Sequence, residues 1–156
     1  MTREAMDKIA WQIIHAQPRS SGPPAGLAAS GRPRNFREFF DLMEQRDDDF
    51  EFAWSEFRHE FYRHKDASFF EVPPPDGFAR PYRALLAGAA EFWCREFGLT
   101  APAWTEEPQY FLDEPWMPWG EFLADNAEVV ASRRATADPA FLRRNILFAA
   151  RNLIAL

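Results

Sequence analysis

The sequence predicts an all-α fold, a compact aromatic-rich helical domain with irregular Pro/Trp-rich loops and a tethered amphipathic helix in front. Three observations carry that expectation. Apolar residues recur at helical spacing in several separate stretches. Capping and terminating residues bracket those stretches. The third is the ring content: 16 Phe, 6 Trp and 3 Tyr make 16% of 156 residues. Such rings bury large areas, so the core is expected to be built from aromatics rather than from Leu, Ile and Val. A chain of this length buries roughly 70% of its unfolded surface, enough for one domain without staples.

Taken in order, Met6, Ile9, Ala10, Ile13 and Ile14 form one helical face, with Thr2 as N-cap and Pro18 as terminator, giving an N-terminal amphipathic helix over 1–17. Residues 18–34 hold four Pro, three Gly and three Ser and read as a flexible linker. As a coil it would span about 20–25 Å. The domain proper is then 35–156. Asn35 and Glu38 form a capping box, and Phe36, Phe39, Phe40 and Met43 set a face behind it. An Asp of Asp47-Asp48-Asp49 caps the next helix, in which Phe50, Ala53, Trp54, Phe57 and Phe61 recur at helical spacing. Acids at its start and Arg63, His64 and Lys65 at its end complement the helix dipole.

Pro73-Pro74-Pro75-Asp76-Gly77 is a loop. Pro81 suits a first helical turn, Tyr82, Leu85, Leu86, Ala89, Trp93 and Phe97 make one face, and Gly98 closes it at C′. Residues 100–120 predict an ordered irregular segment laid over the helices. Glu121 to Arg134 reads as helical on Phe122, Leu123, Val129 and Val130, and Asp138-Pro139 starts a short turn. Ile146-Leu147-Phe148 fits a short strand or a short helix equally. There is no internal repeat.

Net charge is −6, unevenly laid out. Residues 1–34 hold 5 basic and 2 acidic side chains, 35–130 hold 8 and 21, and 131–156 hold 5 and 1. The acidic middle would repel nucleic-acid phosphates and suits a basic protein partner, or simply solubility. One cysteine, Cys94, excludes an internal disulfide and a four-cysteine zinc site. The first residues carry acids and no apolar h-region, so no signal peptide is expected. No run of about 18 apolar residues occurs, so no spanning helix is expected either. A cytoplasmic location follows as the expectation. Arg supplies 16 of the 18 basic residues, which with the many Ala and Pro suggests a GC-rich bacterial genome.

The motifs that suggest chemistry do not complete. His59 and His64 resemble the zincin histidines but stand at i, i+5, about 140° apart around a helix. Glu56 and His59 match half of a di-iron site, and no second Glu-x-x-His exists. Cys94, between Trp93 and Arg95, reads as a small core residue. Nucleotide-loop and nucleophile-elbow motifs are absent. No catalytic residue, metal site or cofactor is therefore expected. Arg133-Arg134, Arg143-Arg144 and Arg151 fit phosphate contacts, but no recognition-helix pattern accompanies them, and an intramolecular or solvated role is preferred. Pro115-Trp116-Met117-Pro118-Trp119-Gly120 is the best contact candidate, since aromatics and Met are enriched where proteins meet. Trp116, Met117 and Trp119, with Asp47, Asp48 and Asp49 for a basic partner, are the expected partner-binding residues.

The run from Asp49 to Tyr62, with the later Pro115-Trp116 and the run from Ala140 to Ile146, resembles a group of small uncharacterised bacterial helical proteins. Their genes are often found beside toxin–antitoxin or defence genes. The resemblance covers roughly 35–156. It implies a non-enzymatic partner role, that of an antitoxin or accessory subunit, and carries over no functional residue. A homo-oligomer is compatible with it. The rival expectations are a nucleic-acid-binding regulator acting through the C-terminal arginines and an enzyme with an unrecognised site.

Overall fold

A computed structural model describes residues 31–120 and 125–153 of the chain. The helix expected over 1–17 and the linker through residue 30 lie outside the described residues. Among those described, the fold is all-α: α1 (Phe36–Gln45), α2 (Phe50–His64), α3 (Arg80–Glu96), α4 (Ala127–Thr136) and α5 (Pro139–Leu142). Short 3₁₀ turns occupy Ala67–Phe70, Ala103–Glu106, Pro108–Tyr110 and Ala150–Asn152. None of the described helices is long and apolar enough to cross a membrane.

Local chemistry explains where the helices start and stop. Asn35 Oδ1 accepts the Glu38 N–H at 2.8 Å, and Glu38 Oε1 reaches back to accept the Arg34 N–H at 3.3 Å. This is a capping box displaced by one residue at its return arm. Asp49 caps α2 by accepting from the Phe52 N–H, and Asp138 caps α5 through the Ala140 N–H. Asp47 and Asp48 both take left-handed backbone between α1 and α2 (φ 55 and 61), a conformation Asp tolerates because its short carboxylate bonds locally. Gly98 ends α3 at φ 65, with the Leu99 N–H donating to Cys94 O at 2.8 Å. That is a Schellman closure, which needs a residue free to turn left-handed.

The core is a lattice of rings. Phe36, Phe39, Phe40 and Met43 of α1 and Phe50, Ala53, Trp54, Phe57 and Phe61 of α2 are all buried. Trp93 on α3 sits at the centre, stacked on Trp54 (5.9 Å) and Phe70 (5.9 Å) and tilted on Phe61 (4.9 Å). Its Nε1 donates to Tyr62 Oη at 3.1 Å, so its burial strands no donor. Helix α3, with eleven buried residues, is the spine of the core.

Residues 100–120 wrap over this core as turns. Trp104 Nε1 donates to Phe70 O at 2.7 Å, pinning the segment down. The C-terminal stretch 144–147 lies alongside 112–117 through a single parallel bridge, Trp116 to Ile146, with no extended strand. Ile146-Leu147-Phe148 is thus extended chain rather than helix. The reason is local: Asn145 turns left-handed (φ 62) and donates from Nδ2 to Leu112 O at 2.6 Å, which breaks the helical path.

Two boundaries differ from those the sequence predicts. Residues 32–34, expected as the end of the linker, pack on the domain: Pro33 is buried and Arg32 and Arg34 pair with Glu56 and Glu60 of α2. The helix expected from Glu121 begins at Ala127, capped by Asn126, and none of its residues is buried. Residues 121–124 lie outside the described ones.

Candidate functional site

The two sets of contact residues read from the sequence, one acidic and one aromatic, meet at Phe50. Asp47, Asp48 and Asp49 immediately precede it, at the start of α2. Its ring packs on Trp119 at 6.0 Å and on Tyr82 at 4.7 Å, and Tyr82 in turn meets Trp116 edge-on at 5.2 Å. Trp119 also contacts Phe148 at 6.0 Å. Residues some seventy positions apart in sequence are thereby linked through the buried rings of Phe50 and Tyr82.

Hydrogen bonds hold the loop against the body. The Trp116 N–H donates to Asn145 O at 2.8 Å, the Leu147 N–H to Trp116 O at 2.9 Å, and the Gly120 N–H to Met117 O at 3.1 Å. In extended chain successive side chains face opposite sides. Trp116 is accordingly half-buried while Met117 is only 3% exposed. Met117 is therefore corrected from contact residue to core residue. Asp48 is corrected likewise: the left-handed turn draws it inward, to 2% exposure. Asp47 stays exposed, and Asp49 is half-buried with one carboxylate oxygen engaged as the cap of α2.

Trp119 is half-buried and sits at φ 55. A bulky residue in the left-handed region carries a strain of about 1–3 kcal/mol and persists only where its surroundings over-determine it. Here Phe50 and Phe148 flank its ring. Asp113 and Glu114, which directly precede Pro115-Trp116 in the chain, are exposed. Asp113 pairs with Arg80 at 3.2 Å, and its side chain remains 86% exposed.

Both C-terminal arginines of the Arg143-Arg144 pair are engaged by other parts of the protein, Arg144 in the interior and Arg143 at the surface. Arg144 is completely buried, donating to Thr105 O and Ala140 O, each at 2.7 Å, and to Glu91 at 3.2 Å, with Phe111 against its guanidinium at 4.8 Å. Burial lowers its pKa, against the pull of Glu91. Arg143 bonds Glu91 and Glu106. The Arg143 hydrogen bond in turn holds the Glu106 carboxyl below its ordinary range. Arg144 is therefore shut away from solvent, whereas Arg143 is partly exposed and paired with two carboxylates. Arg134 and Arg151 are exposed and Arg133 is half-buried.

The reactive-looking residues are dispersed. Cys94 is buried, and desolvation pushes its thiol up to about 11, the reverse of what activates a nucleophile. Glu56 is occupied by Arg32 at 3.2 Å. Among the described residues no three His, Cys, Asp or Glu converge as metal ligands.

One polar cluster had only a faint signal in the sequence. Glu60 is wholly buried, and its Oε1 lies 3.1 Å from Arg34 Nε and 3.1 Å from His64 Nε2. The i, i+4 spacing of Glu60 and His64 was readable, whereas nothing in the sequence pointed to Arg34.

No protein-family model, curated protein or solved structure matches the chain.

Proposed function

We propose that this chain is a non-enzymatic protein-interaction module that binds a basic partner through the half-buried indoles of Trp116 and Trp119, helped by exposed carboxylates on the same domain. The observation that carries the reading is the junction at Phe50, which joins the half-buried indoles to the acidic start of α2. Each part has its own task. The indoles supply desolvated anchor area, worth about 2 kcal/mol or more for one hot-spot ring. The carboxylates of Asp47, Asp49, Asp113 and Glu114 steer a positively charged partner and raise its association rate. Such a module suits an antitoxin or accessory subunit of a toxin–antitoxin or defence system, the role that the resemblance in 35–156 implies.

The test is kinetic, on the complex with the partner isolated from the native host. Trp116→Ala or Trp119→Ala should weaken binding at least about thirtyfold, mainly through faster dissociation. Asp47→Asn combined with Asp49→Asn should slow association at low salt, an effect that fades as salt rises. Asn is itself a good N-cap, so the second variant leaves α2 capped. Unchanged kinetics in both variants would place the contact elsewhere.

A further inference from the structure

A single ring nitrogen decides how the segment leading into α1 is held. Arg34 lies against the C-terminal part of α2, with both Nε and Nη2 at 3.1 Å from Glu60 Oε1. The same Nη2 is 3.0 Å from His64 Nε2, which is itself 3.1 Å from that same carboxylate oxygen. A guanidinium only donates and a carboxylate only accepts. Nε2 can serve one of them at a time. As a lone pair it accepts from Arg34, and the one guanidinium then donates to both Nε2 and Glu60 Oε1 and bridges these two acceptors. As N–H it turns to Glu60 and meets the Arg34 N–H groups donor against donor.

We propose that His64 is a proton-operated latch on the segment 31–34: neutral His64 closes the Arg34–Glu60 clasp, and protonated His64 displaces Arg34 from Glu60. The surroundings favour a discrete exchange over simple accommodation. Glu60 is fully buried, and its Oε2 makes no hydrogen bond, with Arg63 Nη1 3.7 Å away. One buried oxygen is therefore contested by two cations. Among the described residues, the charged groups around His64 are Glu60 on its own helix, Arg34 from the leading segment, Asp66 at the start of the following 3₁₀ turn, and Arg63 and Lys65 beside it in the chain. The ring of Phe69 closes the remaining side at 6.1 Å. Asp66 and Glu60 attract the imidazolium, while Arg34, Arg63 and Lys65 repel it. Of these, Arg34 is held by side-chain contacts to a different element, and it is the group free to leave.

What the latch controls is the docking of residues 31–34. Besides Arg34, that segment is held by Arg32 on Glu56, by burial of Pro33 and by the Arg34 N–H on Glu38. Opening the clasp strips its central tie and leaves Glu60 paired with His64. The chain N-terminal of Gly31 joins the domain at this point.

Hydrogen exchange of the full-length protein tests this, read on a peptide covering 31–38 and corrected for intrinsic rates. Measurements at about pH 7.5 and about pH 5.5 bracket the range in which imidazoles change charge. Protection in this peptide should fall at least tenfold at the lower pH in the parent. His64→Gln, whose amide accepts from Arg34 at either pH, should abolish the difference, and His59→Gln should preserve it. Arg34→Ala should give low protection at both pH values with the core peptides of α3 unchanged. Equal parent protection at the two pH values, or a fall that survives His64→Gln, would overturn the latch.

Discussion

Gly88, in the middle of α3, faces Phe141 of α5 so closely that a methyl group on its Cα would lie 2.6 Å from Phe141 Cδ1. Mid-helix Gly is intrinsically about 1 kcal/mol worse than Ala, so propensity alone says that Gly88→Ala should stabilise. Contact geometry says the opposite, because Phe141 is fully buried and packed against Phe148 at 5.1 Å. The overpacking should win, with a net loss of about 1–3 kcal/mol. Thermal unfolding reads the sign directly, and a higher melting temperature would refute the contact.

The ring lattice makes a second prediction. Phe57 and Trp93 are wholly buried with centroids 6.1 Å apart. Replacing either by Ala should cost about 3–5 kcal/mol, measured by denaturant unfolding. Because they touch, the double variant should cost less or more than the sum of the singles, by at least about 0.5 kcal/mol. Strict additivity would mean the two rings do not share one core.

The adjacent arginines Arg143 and Arg144 should respond very differently to removal. Arg143→Ala deletes contacts of a side chain that is 40% exposed, and should cost less than about 1 kcal/mol. Arg144→Met leaves Thr105 O and Ala140 O without their donor inside the protein, and should cost on the order of 3 kcal/mol. Equal costs in chemical denaturation would contradict the burial of Arg144.

Cys94 supplies a pH-linked test. Burial raises its thiol from the ordinary 9.0 to about 11. The folded state therefore keeps the proton where the unfolded state loses it. Stability from this group is constant below about pH 9 and declines as pH rises toward 11. Cys94→Ala should remove that part of the slope. At neutral pH, alkylation of the native thiol should be far slower than in denaturant, since the reactive thiolate is scarce and shielded. Equal rates in the two conditions would show that the residue is open to solvent.

Much of the fold was legible because helices announce themselves locally. The caps at Asn35, Asp49 and Asp138, the stop at Gly98 and the apolar faces of α1, α2 and α3 depend on residues within one or two turns of each other. The irregular stretches were legible only as irregular. That Met117 turns inward while Trp116 stays half-buried depends on the bridge to Ile146, thirty residues away.

The sequence by itself determined the all-α class, the ring-built core and the starts of α1, α2 and α3, since spacing and capping act over a few residues of chain. Only the tertiary structure decided which polar groups meet: Arg144 with Thr105 and Glu91, Arg34 with Glu60 and His64, and the acidic turn with Trp119 through Phe50. The physical reason is that a charged or polar side chain takes whichever partner satisfies it on burial. That partner is chosen by the approach of distant segments and leaves no periodic trace in the chain.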